Sequence, residues 1–437
     1  MNVKRTMFVR RAFLGVLIGA LFLGAALSSV SAAEVPQDEF RHSTDWVKYR
    51  VVYEFSYESA SSISHTVRAW TFSIDNFTPS VHPDYALMQE SNLISLDVQG
   101  ADVQEFDEDG DIYGNRAYYF EKDFAVGNPS NKLSVRFEYE VTLHQVQWIY
   151  APDDIGEITE DLDVYWYTQA QPYAESNETK IIEKSNQITE GLTDPQSKAR
   201  AIHSWVANAI NYTVMDEAIG ASAVFDTREG DCSEYSSLMV ALLRAQGIPA
   251  RKVLGLVFVD PSQPTAPYYR PQIGHEFAYE EIPGHAWVQY YLPNIGWVVA
   301  DPTWKAGGTY ATEGYGNFFD EVDFIHLTTG IGDWFGEGID PDISFQEGGI
   351  PEMGLGPIIM QEFEHPGKPS FSYDLNFEFK ILDANVTTRS GLLDLFNLGH
   401  LNQENLIQYG IILIVLVGVV GICRKITRKK SNYDEFY

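Results

Sequence analysis

Two apolar runs fence off the middle of this chain, and only one cysteine lies between them. Lys4, Arg5, Arg10 and Arg11 lead into an apolar stretch from Ala12 to Val30, and Ser31-Ala32-Ala33 suits a signal peptidase. Near the other end, Leu406 to Cys423 is apolar apart from Gln408, and Arg424, Lys425, Arg428, Lys429 and Lys430 follow at once. Eighteen residues at about 1.5 Å each reach roughly 27 Å, enough for the hydrocarbon core, and the basic cluster marks the cytoplasmic side. The expectation is a signal peptide or N-terminal anchor over residues 1–33, a transmembrane helix over 406–423 and a cytoplasmic tail over 424–437. Everything between would face the outside of the cell membrane. With Cys232 alone there, no internal disulfide can staple the fold, and a hydrophobic core has to hold it.

About 370 residues are available for that ectodomain, enough for two or three domains. The formal charge of −31 argues against nucleic acid, because a phosphate backbone would be repelled by most of the surface. Four sequons, at Asn76, Asn177, Asn211 and Asn385, would permit glycosylation in a host that performs it. Residues 45–150 alternate with period two, as in Trp46-Val47-Lys48-Tyr49-Arg50-Val51-Val52-Tyr53 and Leu133-Ser134-Val135-Arg136-Phe137, which predicts half-buried strands. A β-sandwich over residues 34–150 follows. The acidic turn Asp107–Asp111 within it reads as a solvated hairpin tip rather than a calcium loop, since Ile112 stands where a sharp-turn glycine belongs.

Residues 150–190 read as an acidic, aromatic connector, and helical patterning begins at Asp194. That residue can cap a helix whose first turn holds Pro195 and whose apolar stripe is Ile202, Trp205, Val206, Ala209 and Ile210. A second helix is expected from about Cys232 to Gln246, ended by Gly247 and Pro249. Strands follow near Arg251–Val259, His285–Leu292 and Gly296–Ala300. Residues 331–405 read as a loop-rich extension and stalk, within which Phe371–Leu382 alternates once more and predicts a strand. No internal repeat or low-complexity tract is visible.

Chemistry gathers around Cys232. A thiol at a helix N-terminus meets unpaired N–H groups and the positive end of the dipole, which favour thiolate. Gly230 and Asp231 in front, with Ser233 and Glu234 behind, predict an accessible helix start. His285 and Asp301 can supply an imidazole and the carboxylate that orients it. In an antiparallel hairpin turning at Pro293-Asn294-Ile295-Gly296, the two lie within a residue or two of direct opposition, at strand spacing of about 5 Å. Spacing does not bring the Cys232 helix to that hairpin.

The same residues resemble a known family. Glu229-Gly230-Asp231-Cys232-Ser233-Glu234-Tyr235 with Ala241-Leu242-Leu243-Arg244-Ala245-Gln246-Gly247-Ile248-Pro249 is similar to the nucleophile segment of the transglutaminase-like superfamily. Gly284-His285-Ala286-Trp287-Val288 is similar to its histidine segment, and Gly296-Trp297-Val298-Val299-Ala300-Asp301-Pro302 to its aspartate segment. The resemblance covers about residues 180–310. It implies an α+β fold in which a papain-like core over 151–330, a Cys-bearing helix on an antiparallel sheet, carries a Cys-His-Asp triad. Cys232 would be the nucleophile, His285 the general acid/base and Asp301 the orienter. One oxyanion donor would be the Cys232 backbone N–H; Trp205 and Trp297 read better as core aromatics than as the second.

Metal binding is the rival chemistry. His275, Glu276, Glu280, Glu281 and His285 cluster in sequence, but Tyr279 replaces the second histidine of a His-Glu-x-x-His helix, so no metal and no cofactor is expected. Tyr268, Tyr269, Tyr290, Tyr291 and Trp304 are candidate cleft residues. The expected activity is that of a membrane-anchored, extracellular thiol enzyme acting on amide bonds of a protein or peptide, foremost a peptidase or amidase. The alternatives are a protein-glutamine transglutaminase and a non-catalytic surface binding protein that keeps the fold.

Overall fold

The computed structural model describes residues 39–386 except 60–63, 75–87, 107–112, 126–131, 216–217, 259–270, 280–283, 306–317, 333–357 and 364–370. The two apolar end runs, the acidic turn at 107–111, Tyr268 and Tyr269 lie outside the described residues. No helix among those described is long and apolar enough to cross a membrane.

The alternating N-terminal segments do form strands: β1 (Arg41–Ser59), β2 (His65–Phe72), β3 (Gln89–Gln99), β4 (Asp102–Phe106), β5 (Ala117–Phe124) and β6 (Lys132–Trp148). In β1 the side chains of Val47, Tyr49, Val51, Tyr53, Phe55 and Tyr57 all point inward, as a two-residue period requires. Helices follow, α1 (Thr179–Ile188), α2 (Pro195–Ala209), α3 (Gly220–Thr227) and α4 (Cys232–Ala245), with the short strands β7 (Asn211–Tyr212) and β8 (Glu229–Gly230) between them. The remainder is β9 (Ala250–Val257), β10 (Glu276–Tyr279), β11 (Gly284–Leu292), β12 (Gly296–Ala300), α5 (Pro302–Lys305), β13 (Glu321–Val322), β14 (His326–Ile331), β15 (Ile358–Phe363) and β16 (Phe371–Asn385).

Three antiparallel sheets organise these strands. One runs β10-β16-β1-β6-β13 with β3 also on β6, a second runs β15-β2-β5-β4, and the third runs β12-β11-β9-β14. The first two face each other across one core, which includes Val51 and Phe55 from β1, Val67 and Ala69 from β2 and Phe120 from β5. That sandwich is not made from contiguous sequence. β16 pairs with β1 along its length, β10 pairs with β16, and β15 pairs with β2. The strand expected at Phe371–Leu382 is β16, while the loops expected before it also hold β15, and both strands join the N-terminal sheets. The expected connector at 150–190 also holds a helix, α1, whose Ile181 and Ser185 are buried and whose Ser185 hydroxyl donates to the Leu242 carbonyl at 2.7 Å.

The third sheet carries the helices. Leu238, Met239, Leu242 and Leu243 of α4 are fully buried in a core shared with Trp287, Val288 and Tyr290 of β11. Asp194 caps α2 through the Ser197 N–H, Pro195 occupies the first turn, and Ile202 and Val206 lie on the buried stripe. The β9 end of this sheet reaches into the sandwich core, where Phe258 stacks on Phe379 at a ring separation of 4.2 Å.

Candidate active site

Cys232 is the first residue of α4, and the residues around it explain why. Gly230 has no side chain because Glu234 folds over it; a Cβ there would stand 2.3 Å from the Glu234 Cβ. Asp231 caps the helix by accepting from the Ser233 N–H at 3.0 Å, and Glu234 reaches back to the Asp231 N–H at 3.2 Å. This reciprocal cap fixes the helix start. The two carboxylates also hold the preceding segment, through Met215 N–H to Asp231 and Ile219 N–H to Glu234. β7 pairs with β8 in parallel, so Tyr212 lies opposite Gly230.

Polar neighbours led to the expectation of an open helix start, and here the structure differs. Cys232 is only 6% exposed and Glu234 2%, because both acids turn inward onto the cap. Burial first, and the neighbouring Asp231 second, push the Glu234 carboxyl up to about 7.

His285 and Asp301 meet as the hairpin register requires. Val288 faces Ala300 across β11 and β12, which puts the two residues on adjoining ends of the strands. The His285 Nε2 donates to Asp301 Oδ2 at 2.6 Å. The other Asp301 oxygen accepts from the Thr303 and Trp304 N–H groups at 2.8 and 3.2 Å, capping α5 and locking the carboxylate. Docking of α4 against β11 sets the Cys232 thiol near the same imidazole, close enough to help raise it. Nε2 is committed to Asp301, so Nδ1 is the nitrogen left for the thiol.

Burial opposes charge on His285, but Asp301 and then Cys232 outweigh it and raise the imidazole to about 10. Asp301 is likewise buried, and His285 and His326 hold its carboxyl well below the usual carboxylate range. Such a set keeps an imidazolium beside a thiol at neutral pH, the condition for a reactive thiolate.

His326 and Asp323 have no counterpart in the sequence reading, and Tyr212 has no site role there. His326 Nε2 stands 3.4 Å from Asp301 Oδ2, and its Nδ1 stands 2.6 Å from Asp323 Oδ1. Neither residue sits in a local motif, and only the pairing of β14 with β9 delivers them. Tyr212 is half exposed, and its phenol is raised to about 12 by burial first and by Cys232 and Asp231 next, so it stays protonated at neutral pH. The Asn211-Tyr212 pair after an amphipathic helix was its one available signal.

Other expected residues fall elsewhere. Tyr290 is not in a cleft; it is fully buried, and its hydroxyl bonds Asp320. Tyr291 packs on Trp297, whereas Trp304 does stand beside the site, with ring centroids 6.2 Å from His285 and 5.0 Å from His326. Trp297 is buried under the Arg251 guanidinium at 3.8 Å, and Trp205 stacks on Phe225. Of the rival metal set, Glu276 is spent on Lys380 at 2.6 Å, while Glu280 and Glu281 lie outside the described residues. Among the described residues, the ligand-type side chains that converge are His285, Asp301 and His326, with donor atoms within 4.8 Å of one another.

Residues 182–302 match the family model described as the transglutaminase-like superfamily. Over 98 residues the chain is 40% identical to a protein-glutamine gamma-glutamyltransferase of Pseudomonas aeruginosa, covering 22% of this chain and 13% of that protein. It is also 26% identical over 169 residues to the Bacillus subtilis protein YebA, covering 36% and 22% respectively. The chain thus spans well under two thirds of either relative. A solved candidate cysteine protease from Cytophaga hutchinsonii is 16% identical, with 79% of this chain and 94% of that chain covered and a TM-score of 0.48. Cys232, His285 and Asp301 all lie within the segment that matches the transglutaminase-like superfamily model.

Proposed function

We propose that this protein is a thiol enzyme that opens amide bonds of a protein or peptide through an acyl-thioester on Cys232. The observation that carries the reading is the buried pair His285 and Asp301, bonded at 2.6 Å, with the buried Cys232 thiol near enough to help raise the imidazole. Cys232 attacks the amide carbonyl as thiolate, and the developing oxyanion is met by the Cys232 N–H at the start of α4 and by the Tyr212 hydroxyl. His285 gives its proton to the departing nitrogen, which leaves as ammonia or an amine. Water then adds to the thioester with His285 as base, releasing the acid and restoring the thiol. Hydrolysis is the leading form of the reaction.

Acyl transfer to an amine is the second form, supported by the printed name of the Pseudomonas aeruginosa relative. It differs only in which nucleophile resolves the thioester. The export signal and the C-terminal apolar run support an ectodomain displayed outside the cell and tethered to its membrane.

Alkylation of the Cys232 peptide by iodoacetamide, read by mass spectrometry so that Cys423 does not contribute, tests the reading. Alkylation should be rapid at pH 7 and fall at least about tenfold in His285→Ala. A rate indifferent to that substitution would mean that the fold is a scaffold. Mass changes of peptide substrates, with and without a primary amine, separate cleavage, deamidation and crosslinking.

A further inference from the structure

His326 opens β14 and is buried among Trp287, Trp304, Phe318 and His285, with ring separations of 5.2, 5.0, 5.7 and 5.7 Å. Both of its ring nitrogens face carboxylate oxygens, Nδ1 toward Asp323 and Nε2 toward Asp301. A neutral imidazole has one N–H and could satisfy only one of them, so the geometry calls for an imidazolium. Asp323 is held in turn by the Ile325 N–H at 3.0 Å. Its second oxygen and the Gln289 Nε2 are buried without a protein partner, next to a cavity of about 10 Å³, the space one ordered water needs.

We propose that His326 is a positioning residue of the site: clamped between Asp323 and Asp301, it keeps a positive charge behind the Asp301 carboxylate and so sets how tightly that carboxylate holds the His285 proton. The proposal rests on the thiol-enzyme reading above. Asp301 Oδ1 is spent on the α5 cap, so Oδ2 alone serves both histidines. Sharing that oxygen weakens its pull on His285 and leaves His285 able to give up its proton during turnover. Burial opposes the His326 charge, and Asp323 followed by Asp301 overcomes it. The titratable groups facing this chain are Cys232 from α4, His203 from α2 (bonded to the Asp301 carbonyl at 3.1 Å), Tyr212 from β7, and Asp301, Asp323 and His285 themselves.

Removing a positive charge raises the pKa of each group that feels it. The pH profile of Cys232 alkylation in the full chain should therefore move upward by about half to one unit in His326→Gln, a change of about 3- to 10-fold in rate at a fixed pH on its rising limb. The double variant His326→Gln/Asp323→Asn leaves no lone buried carboxylate and should shift the same way by less. Nitrogen-15 shifts of the His326 ring in the unaltered protein should report both nitrogens protonated at pH 7. The proposal is overturned by a folded variant whose profile superimposes on the wild type, or by a neutral His326 ring at pH 7. A merely structural histidine would lower the melting temperature and leave the profile in place. The His285→Ala control keeps the two readings apart, since its failure removes the thiol enzyme while the ring measurement still decides the state of His326.

Discussion

At the scale of single residues, Glu234 is the carboxyl whose role reverses on folding. The sequence places it two residues after the thiol, where it looked like part of a solvated helix start. Folding instead buries it over Gly230 and ties it to two backbone N–H groups. Its carboxyl rises from 4.5 to about 7. An acid with a raised folded value lends stability only while protonated, so the contribution is complete below about 4.5 and is lost as pH climbs through about 7. Glu234→Gln keeps an acceptor for the cap and removes the titration. The melting-temperature difference between Glu234→Gln and wild type should thus grow in favour of the variant from pH 5 to pH 8, by the equivalent of about 1–3 kcal/mol. A difference that stays flat with pH would mean that Glu234 is ionised throughout. Cys232, His285 and Asp301 were legible because each sits at the edge of a locally recognisable element. His326 was not, because a histidine at the start of an ordinary strand carries no short-range mark of its neighbours.

Among the elements, α2, α4 and the β11–β12 hairpin follow their punctuation closely, whereas α1 and α3 carry none that the sequence reading used. Asp194-Pro195 started α2, Gly247 and Pro249 stopped α4, and Pro293-Asn294-Ile295-Gly296 made the turn. Strand β9 shows what punctuation misses. Gly255 in its middle sits opposite His285 in the register, and a Cβ there would stand 2.2 Å from the Leu327 carbonyl oxygen and 2.5 Å from the Trp287 ring. A strand-interior glycine normally weakens a strand, and replacing it by alanine would be neutral or helpful in open space. Here the added methyl has to push either the β14 backbone or the Trp287 indole aside, and overpacking of this kind costs about 1–3 kcal/mol. Because β14 brings His326 and β11 brings His285, Gly255→Ala should lower the melting temperature and slow Cys232 alkylation together. Loss of stability with an unchanged alkylation rate would show that the strain is absorbed away from the site.

For the molecule as a whole, the two cores cannot be cut apart along the sequence. Period-two alternation announced strands at both ends of the described chain, but alternation does not name a partner, and β1 pairs with β16 across nearly all of it. Nor could it say that β10, lying within the family-like segment, would pair with β16, or that β13 would pair with β6. Through these contacts Phe258, Phe277, Phe324 and Leu327 are buried in the sandwich core although they lie beyond its first six strands. A fragment restricted to residues 151–330 would expose all four. At about 1.5–3 kcal/mol for each large apolar side chain, the loss is on the order of 6–12 kcal/mol, as large as the whole stability of an ordinary domain. That fragment should therefore lack a cooperative melting transition and be cut rapidly by protease. Residues 39–386 should melt in one step, with near-ultraviolet circular dichroism from the aromatic core and the His285-dependent acceleration of Cys232 alkylation lost at the same temperature. Two separate transitions, or a 151–330 fragment that melts cooperatively near the temperature of the longer protein, would mean that the shared strands decorate an independent core and do not complete it.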